Sequence, residues 1–117
     1  MIKKLTVYQK PTCSKCRETL RLLKNRGVEF EAINYYERPL STEDLRGLLR
    51  KLKLTASDIL RKDGPIARDL GISKKQFSEA ELLSLMAKHP DLIQRPIVVC
   101  GNDAVLGRPP ENVEQLL

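Results

Sequence analysis

The chain has 117 residues, 41% of them hydrophobic and 31% charged, with a formal net charge of +6 and three cysteines. That length supports one domain with a modest core, and no stretch approaches the roughly 20 apolar residues of a membrane span. An odd cysteine count argues against a secreted disulfide framework. The apolar run after Lys3 and Lys4 ends at Gln9 and Lys10, too short and too polar for a signal peptide, so a cytoplasmic location is expected.

Lys3 to Gln9 reads as a strand, with Leu5 and Val7 on one face and Thr6 and Tyr8 on the other. Pro11 breaks the chain, and a helix follows over 14–26, carried by Cys16, Leu20 and Leu23 at helical spacing and closed by Gly27. Val28 to Tyr35 alternates as a second strand. Strand, helix and strand within 35 residues predict a βαβ unit with parallel strands. After Pro39 the texture changes. Ser41 to Asp44 is a capping sequence ahead of Leu45, Leu48, Leu49 and Leu52, and Thr55 to Asp58 is a second cap. Pro65 opens a short helix through Leu70, ended by Gly71. Ser78 to Glu81 caps a helix that His89-Pro90 stops. Residues 40–90 thus form an insertion of short helices between the two parts of a core, 1–39 and 91–117. Pro96 to Cys100 is the strongest strand signal, Gly101-Asn102-Asp103 a hairpin turn, Ala104 to Gly107 the returning strand, and Glu111 to Leu117 a final helix.

The chemistry gathers where the first strand hands over to the first helix. Cys13 lies in the loop at the helix mouth, and Cys16 lies one turn further in. A helix N-terminus offers unpaired N–H donors and about half a positive charge, which stabilise a thiolate, the attacking form of cysteine. Of the 21 basic and 15 acidic residues, eight basic and two acidic fall within 1–30, leaving thirteen of each elsewhere. The whole excess therefore surrounds these cysteines in sequence, either as a field that attracts anions or as a solvated helix face. Aromatic residues are few and no basic stripe is visible, so direct nucleic-acid binding is not expected. Cys13 and Cys16 supply only two metal ligands where a structural zinc site needs four. Cys100 and His89 stand at unrelated positions, so no metal site is expected.

The order β-α-β, helices, β-β-α, with C-x-x-C after the first strand, resembles a thioredoxin/glutaredoxin-like α/β fold with a mixed four-stranded sheet. Four stretches carry a closer resemblance, to glutaredoxin-dependent arsenate reductases and their relatives, including the Spx-type regulators. They are Val7 to Cys13 with Arg17, Ile59 to Lys62, His89 to Val99, and Gly107 to Pro109.

The resemblance implies that Cys13 attacks the arsenic of arsenate, that Arg61, Arg95 and Arg108 bind the oxyanion, and that Arg17 supports the thiolate. Guanidinium forks suit this task, since they meet anionic oxygens in pairs and never lose their charge. Pro96 resembles the cis-proline that faces the nucleophile in such folds. The family's reductases often carry a histidine where Gln9 stands, and commonly a small residue where Cys16 stands, whereas the regulators carry C-x-x-C. No bound cofactor is implied. Either glutathione is the co-substrate that resolves the Cys13 adduct, or Cys16 resolves it as an internal disulfide that glutaredoxin or thioredoxin then reduces. The alternative is a redox-sensing regulator that binds RNA polymerase. Cys100, at a strand end, reads as packing.

Overall fold

The computed structural model describes residues 4–117, so the expected strand start at Lys3 lies outside the described residues. The chain divides into two compact units, one running up to Arg38 and resuming at Arg95–Leu117, the other Pro39–Gln94.

The first unit is built on a four-stranded mixed sheet. Strand β1 (Lys4–Gln9) lies between β2 (Glu29–Asn34) and β3 (Ile97–Cys100), with β4 (Asp103–Leu106) outside β3. β1 and β2 are parallel, with Val7 opposite Ala32 and Gln9 opposite Asn34, as a βαβ unit requires. β3 runs antiparallel to both β1 and β4. Leu5, Val7 and Val98 point from one face of the sheet into a cluster closed by Leu23 of helix α1 (Ser14–Asn25) and by Val113 and Leu116. Fully burying one such side chain contributes about 1.5–3 kcal/mol.

Several local expectations need adjusting. Helix α1 ends at Asn25, with Gly27 at φ +68 in the left-handed region that favours glycine. The buried positions of α1 are Cys16, Thr19 and Leu23, so Thr19 takes the place expected of Leu20. The reason is polar: the Thr19 hydroxyl donates to the Gly107 carbonyl at 3.3 Å. Gly107 is pressed so close that a Cβ there would lie 2.8 Å from Pro96 Cγ and 2.9 Å from Thr19 Oγ1. The hairpin is tighter than expected, with β4 starting at Asp103, and the final helix is a 3₁₀ run over Pro110–Leu116.

The second unit contains α2 (Thr42–Leu52), α3 (Pro65–Asp69) and α4 (Glu79–Lys88), with short 3₁₀ turns at Ser57–Ile59, Ile72–Lys74 and Pro90–Leu92. Both long helices open on capping boxes. Ser41 and Asp44 exchange side-chain and backbone hydrogen bonds at α2, and Ser78 and Glu81 do the same at α4. All four leucines predicted for the inner face of α2 are buried. Leu60 and Ile93 form an isolated antiparallel bridge. Among the described residues no helix is long and apolar enough to cross a membrane.

Candidate active site at the mouth of the first helix

β1 and β2 are parallel, so both end at the same edge of the sheet, and the candidate site is assembled there. After β1 a turn closes with the Cys13 N–H donating to the Lys10 carbonyl at 3.0 Å, and Cys13 becomes the N-cap of α1. Its extended backbone (φ −83, ψ 125) and the first helical bond, from the Arg17 N–H to the Cys13 carbonyl, aim the thiol across the uncapped helix end. After β2, the Asn34 side chain accepts the Tyr36 N–H at 3.0 Å, and the Asn34 carbonyl accepts from Glu37 and Arg38. That turn presents Tyr35 and Tyr36 beside the helix mouth. From the third side Arg95 enters just before β3, through a cis bond to Pro96, as the resemblance implied. The Arg108–Pro109 bond is cis as well.

Arg95 is the centre of this arrangement. It is a charged residue only 6% exposed. Its Nη1 donates to the Tyr36 hydroxyl at 3.4 Å, and the guanidinium also hydrogen-bonds Tyr35 and the Cys13 thiol. Burial opposes its charge but is outweighed by Tyr35, Tyr36 and the Cys13 sulfur, so the guanidinium is held above its ordinary value.

The two thiols differ sharply. Burial works against ionisation of Cys13, but the Cys16 backbone N–H, the Cys16 thiol and the Arg95 guanidinium together outweigh it and bring the thiol below its ordinary value. Cys16 is 0% exposed. Burial, joined by the neighbouring Cys13 sulfur, pushes it up to about 12. Cys16 thus stays protonated and donates to Cys13. Burial likewise pushes Tyr35 up to about 12 against the pull of Arg95, so its hydroxyl keeps its proton.

The other residues singled out from the sequence lie as follows. Arg17 is exposed on α1, and the groups acting on Cys13 are Cys16 and Arg95. Lys10 sits over the Tyr36 ring, 4.6 Å from its centroid. Arg21, Lys24 and Arg26 form an exposed face, with Arg26 paired to Glu114. Arg108 is exposed, and its carbonyl accepts from the Asn112 side chain, which also holds the Leu106 carbonyl. Arg61 belongs to the helical unit. Its N–H donates to the Leu92 carbonyl at 2.7 Å, and its Nε lies 3.4 Å from Asp63. Cys100 packs, half-buried, against the core cluster. Gln9 is 5% exposed with its Oε1 unpartnered among the described residues. Among those residues no group of three or more His, Cys, Asp or Glu is placed to hold a metal.

The sequence profile of the ArsC family matches residues 8–116. The chain belongs to the ArsC family. It is 40% identical over 118 residues to the Escherichia coli K12 protein named uncharacterized protein YfgD, spanning all of this chain and 99% of that one. It is 36% identical over 112 residues to an arsenate reductase of Haemophilus influenzae, covering 95% and 97% of the two chains. Among solved structures, an arsenate reductase from Vibrio cholerae superposes with a TM-score of 0.93 at 40% identity, over the whole of both chains. The sheet and helix order described above is thus the thioredoxin-like fold of ArsC proteins.

Sequence reasoning missed Tyr35, Tyr36 and Asn112. Asn112 carries no signal. The two tyrosines do: they follow a strand parallel to β1, and parallel neighbours deliver their following loops to one edge.

Proposed function

We propose that this ArsC-family protein reduces arsenate to arsenite through a covalent adduct on Cys13. The observation that carries the reading is the Cys13 thiol at an uncapped helix N-terminus, lowered by the Cys16 N–H and by a buried Arg95. The Cys13 thiolate attacks arsenic, an As–S bond forms and an arsenate oxygen leaves as water after protonation. Arg95 and Arg108 bind the oxyanion and offset the repulsion between thiolate and anion. Reduction of arsenic(V) to arsenic(III) takes two electrons, which two thiols supply as they become a disulfide.

The second thiol is external in this proposal. Glutathione attacks the Cys13 sulfur, the S–S bond forms, and the As–S electron pair leaves with arsenite. Glutaredoxin then reduces the mixed disulfide. Cys16 is a poor candidate for that attack because it is fully buried and protonated to about pH 12. The test is arsenite formation with glutathione and glutaredoxin as the reducing system. Wild type should turn over, and Cys16→Ser should retain most of the rate. Loss of turnover in Cys16→Ser would move the resolving thiol to Cys16. Absence of arsenite in wild type, with binding to the RNA polymerase α subunit, would replace the enzyme by a regulator.

A further inference from the structure

A buried guanidinium is costly unless every direction around it is organised, and Arg95 is organised by two tyrosines. Tyr35 is 1% exposed and hydrogen-bonds the guanidinium from within the core. Tyr36 lies beside it with ring centroids 5.1 Å apart, and accepts from Nη1 at 3.4 Å. The Tyr36 ring also meets a second cation, since Lys10 stands over it 4.6 Å from its centroid. Tyr36 therefore ties together the loop before Cys13 and the arginine after it. Its own backbone is fixed by the Asn34 side chain at 3.0 Å. With the guanidinium held in this way, Arg95 Nε is left buried and without a hydrogen-bond partner among the described residues. An unpaired buried donor on a charged group is unfavourable, and its pairing by an incoming oxygen recovers that cost.

We infer that Tyr36 is a positioning residue for Arg95: its hydroxyl and ring hold the guanidinium against the Cys13 sulfur and keep Nε turned to a substrate oxygen. The part concerning the oxygen rests on the arsenate reading; the part concerning the sulfur does not. A hydrogen bond of 3.4 Å is long, so its contribution is mainly to direction rather than to stability.

The experiment uses Tyr36→Phe, which keeps the ring and its contact with Lys10 while removing the hydroxyl. Alkylation of Cys13 by iodoacetamide is followed against pH by mass spectrometry of the Cys13 peptide, in a Cys100→Ser background. The midpoint should rise by about half a pH unit, roughly threefold in thiolate at neutral pH, with thermal unfolding unchanged. Arg95→Ala should raise it further, and Tyr36→Phe added to Arg95→Ala should do nothing more. In steady state, Tyr36→Phe should raise KM for arsenate more than it lowers kcat. An alkylation profile identical to wild type in Tyr36→Phe would overturn the inference, as would an equal further shift in the Arg95→Ala background. A shifted profile in a protein whose wild type makes no arsenite would sink the arsenate reading alone and leave the positioning role standing.

Discussion

Three helices of this chain start in two different ways. α2 and α4 begin with serine at the N-cap, an acidic residue at the third helical position and a reciprocal pair of hydrogen bonds. α1 begins with Cys13, has no side-chain cap and carries no acidic residue in its first turn. In the first two starts the N–H groups of the N-cap and of the third helical position are satisfied, and Asp44 and Glu81 set negative charge against the positive helix end. The third is left open, and its donors are directed at a sulfur. One physical feature, the electropositive helix end, thus serves stability at α2 and α4 and reactivity at α1.

The largest effect that separates the two kinds of start belongs to Cys13→Ser. Arsenite formation should fall to background, measured with glutathione and glutaredoxin, while stability holds or improves by up to about 1 kcal/mol because serine is the better N-cap. A variant that still turned over, or that lost well over 1 kcal/mol in a urea titration, would erase the distinction. Ser41→Ala and Ser78→Ala should do the reverse. Each should cost about 1 kcal/mol in urea unfolding and leave the arsenate kinetics unaltered.

The open and the capped starts also respond to pH in different windows. Glu81 is held below its ordinary value by the Ser78 N–H and hydroxyl, and Cys13 is also held below its own. Both are acids with depressed folded values, so each contributes stability that is present above its unfolded value and lost as pH falls through its folded value. The windows differ, because an ordinary thiol titrates near 9.0. Wild type should therefore gain on Cys13→Ser as pH rises through the range below about 9 and then level off. Cys16 and Tyr35 have the opposite sign. Their values are raised to about 12, so both proteins should lose stability together as pH climbs beyond the ordinary thiol and phenol values. Parallel urea midpoints for wild type and Cys13→Ser below pH 9 would contradict the lowered Cys13 value.

The contrast also marks what a reader of the bare sequence can see. Ser41 with Asp44, Ser78 with Glu81 and Gly27 act on neighbours within four residues, so spacing alone exposes them. The β-branched run Ile97-Val98-Val99 announces β3 in the same way. Arg95 is different. Its residue type and its place before proline suited an anion site, but its contacts with Tyr35, Tyr36 and Cys13 join segments some 60 to 80 residues apart in the chain. No local pattern encodes them. Thr19 was hidden for a related reason: at positions 19 and 20 the helical period accepts either residue, and the distant Gly107 carbonyl decides between them. Arg17, to which the resemblance gave a supporting role, is exposed on α1, and a residue 82 positions beyond Cys13 in the chain acts on the sulfur.

At position 107 only a hydrogen fits between Pro96 and Thr19, and the Gly107 N–H bonds the Pro96 carbonyl at 2.8 Å. Arg95 and Arg108 are the immediate chain neighbours of that contact. A missing methyl group therefore gauges how far apart the backbones of these two arginines stand. Divergence at residues 19, 96 and 107 is consequently constrained to proceed in concert: any lineage that places a side chain at 107 has to reshape the other two and, with them, the span between its arginines.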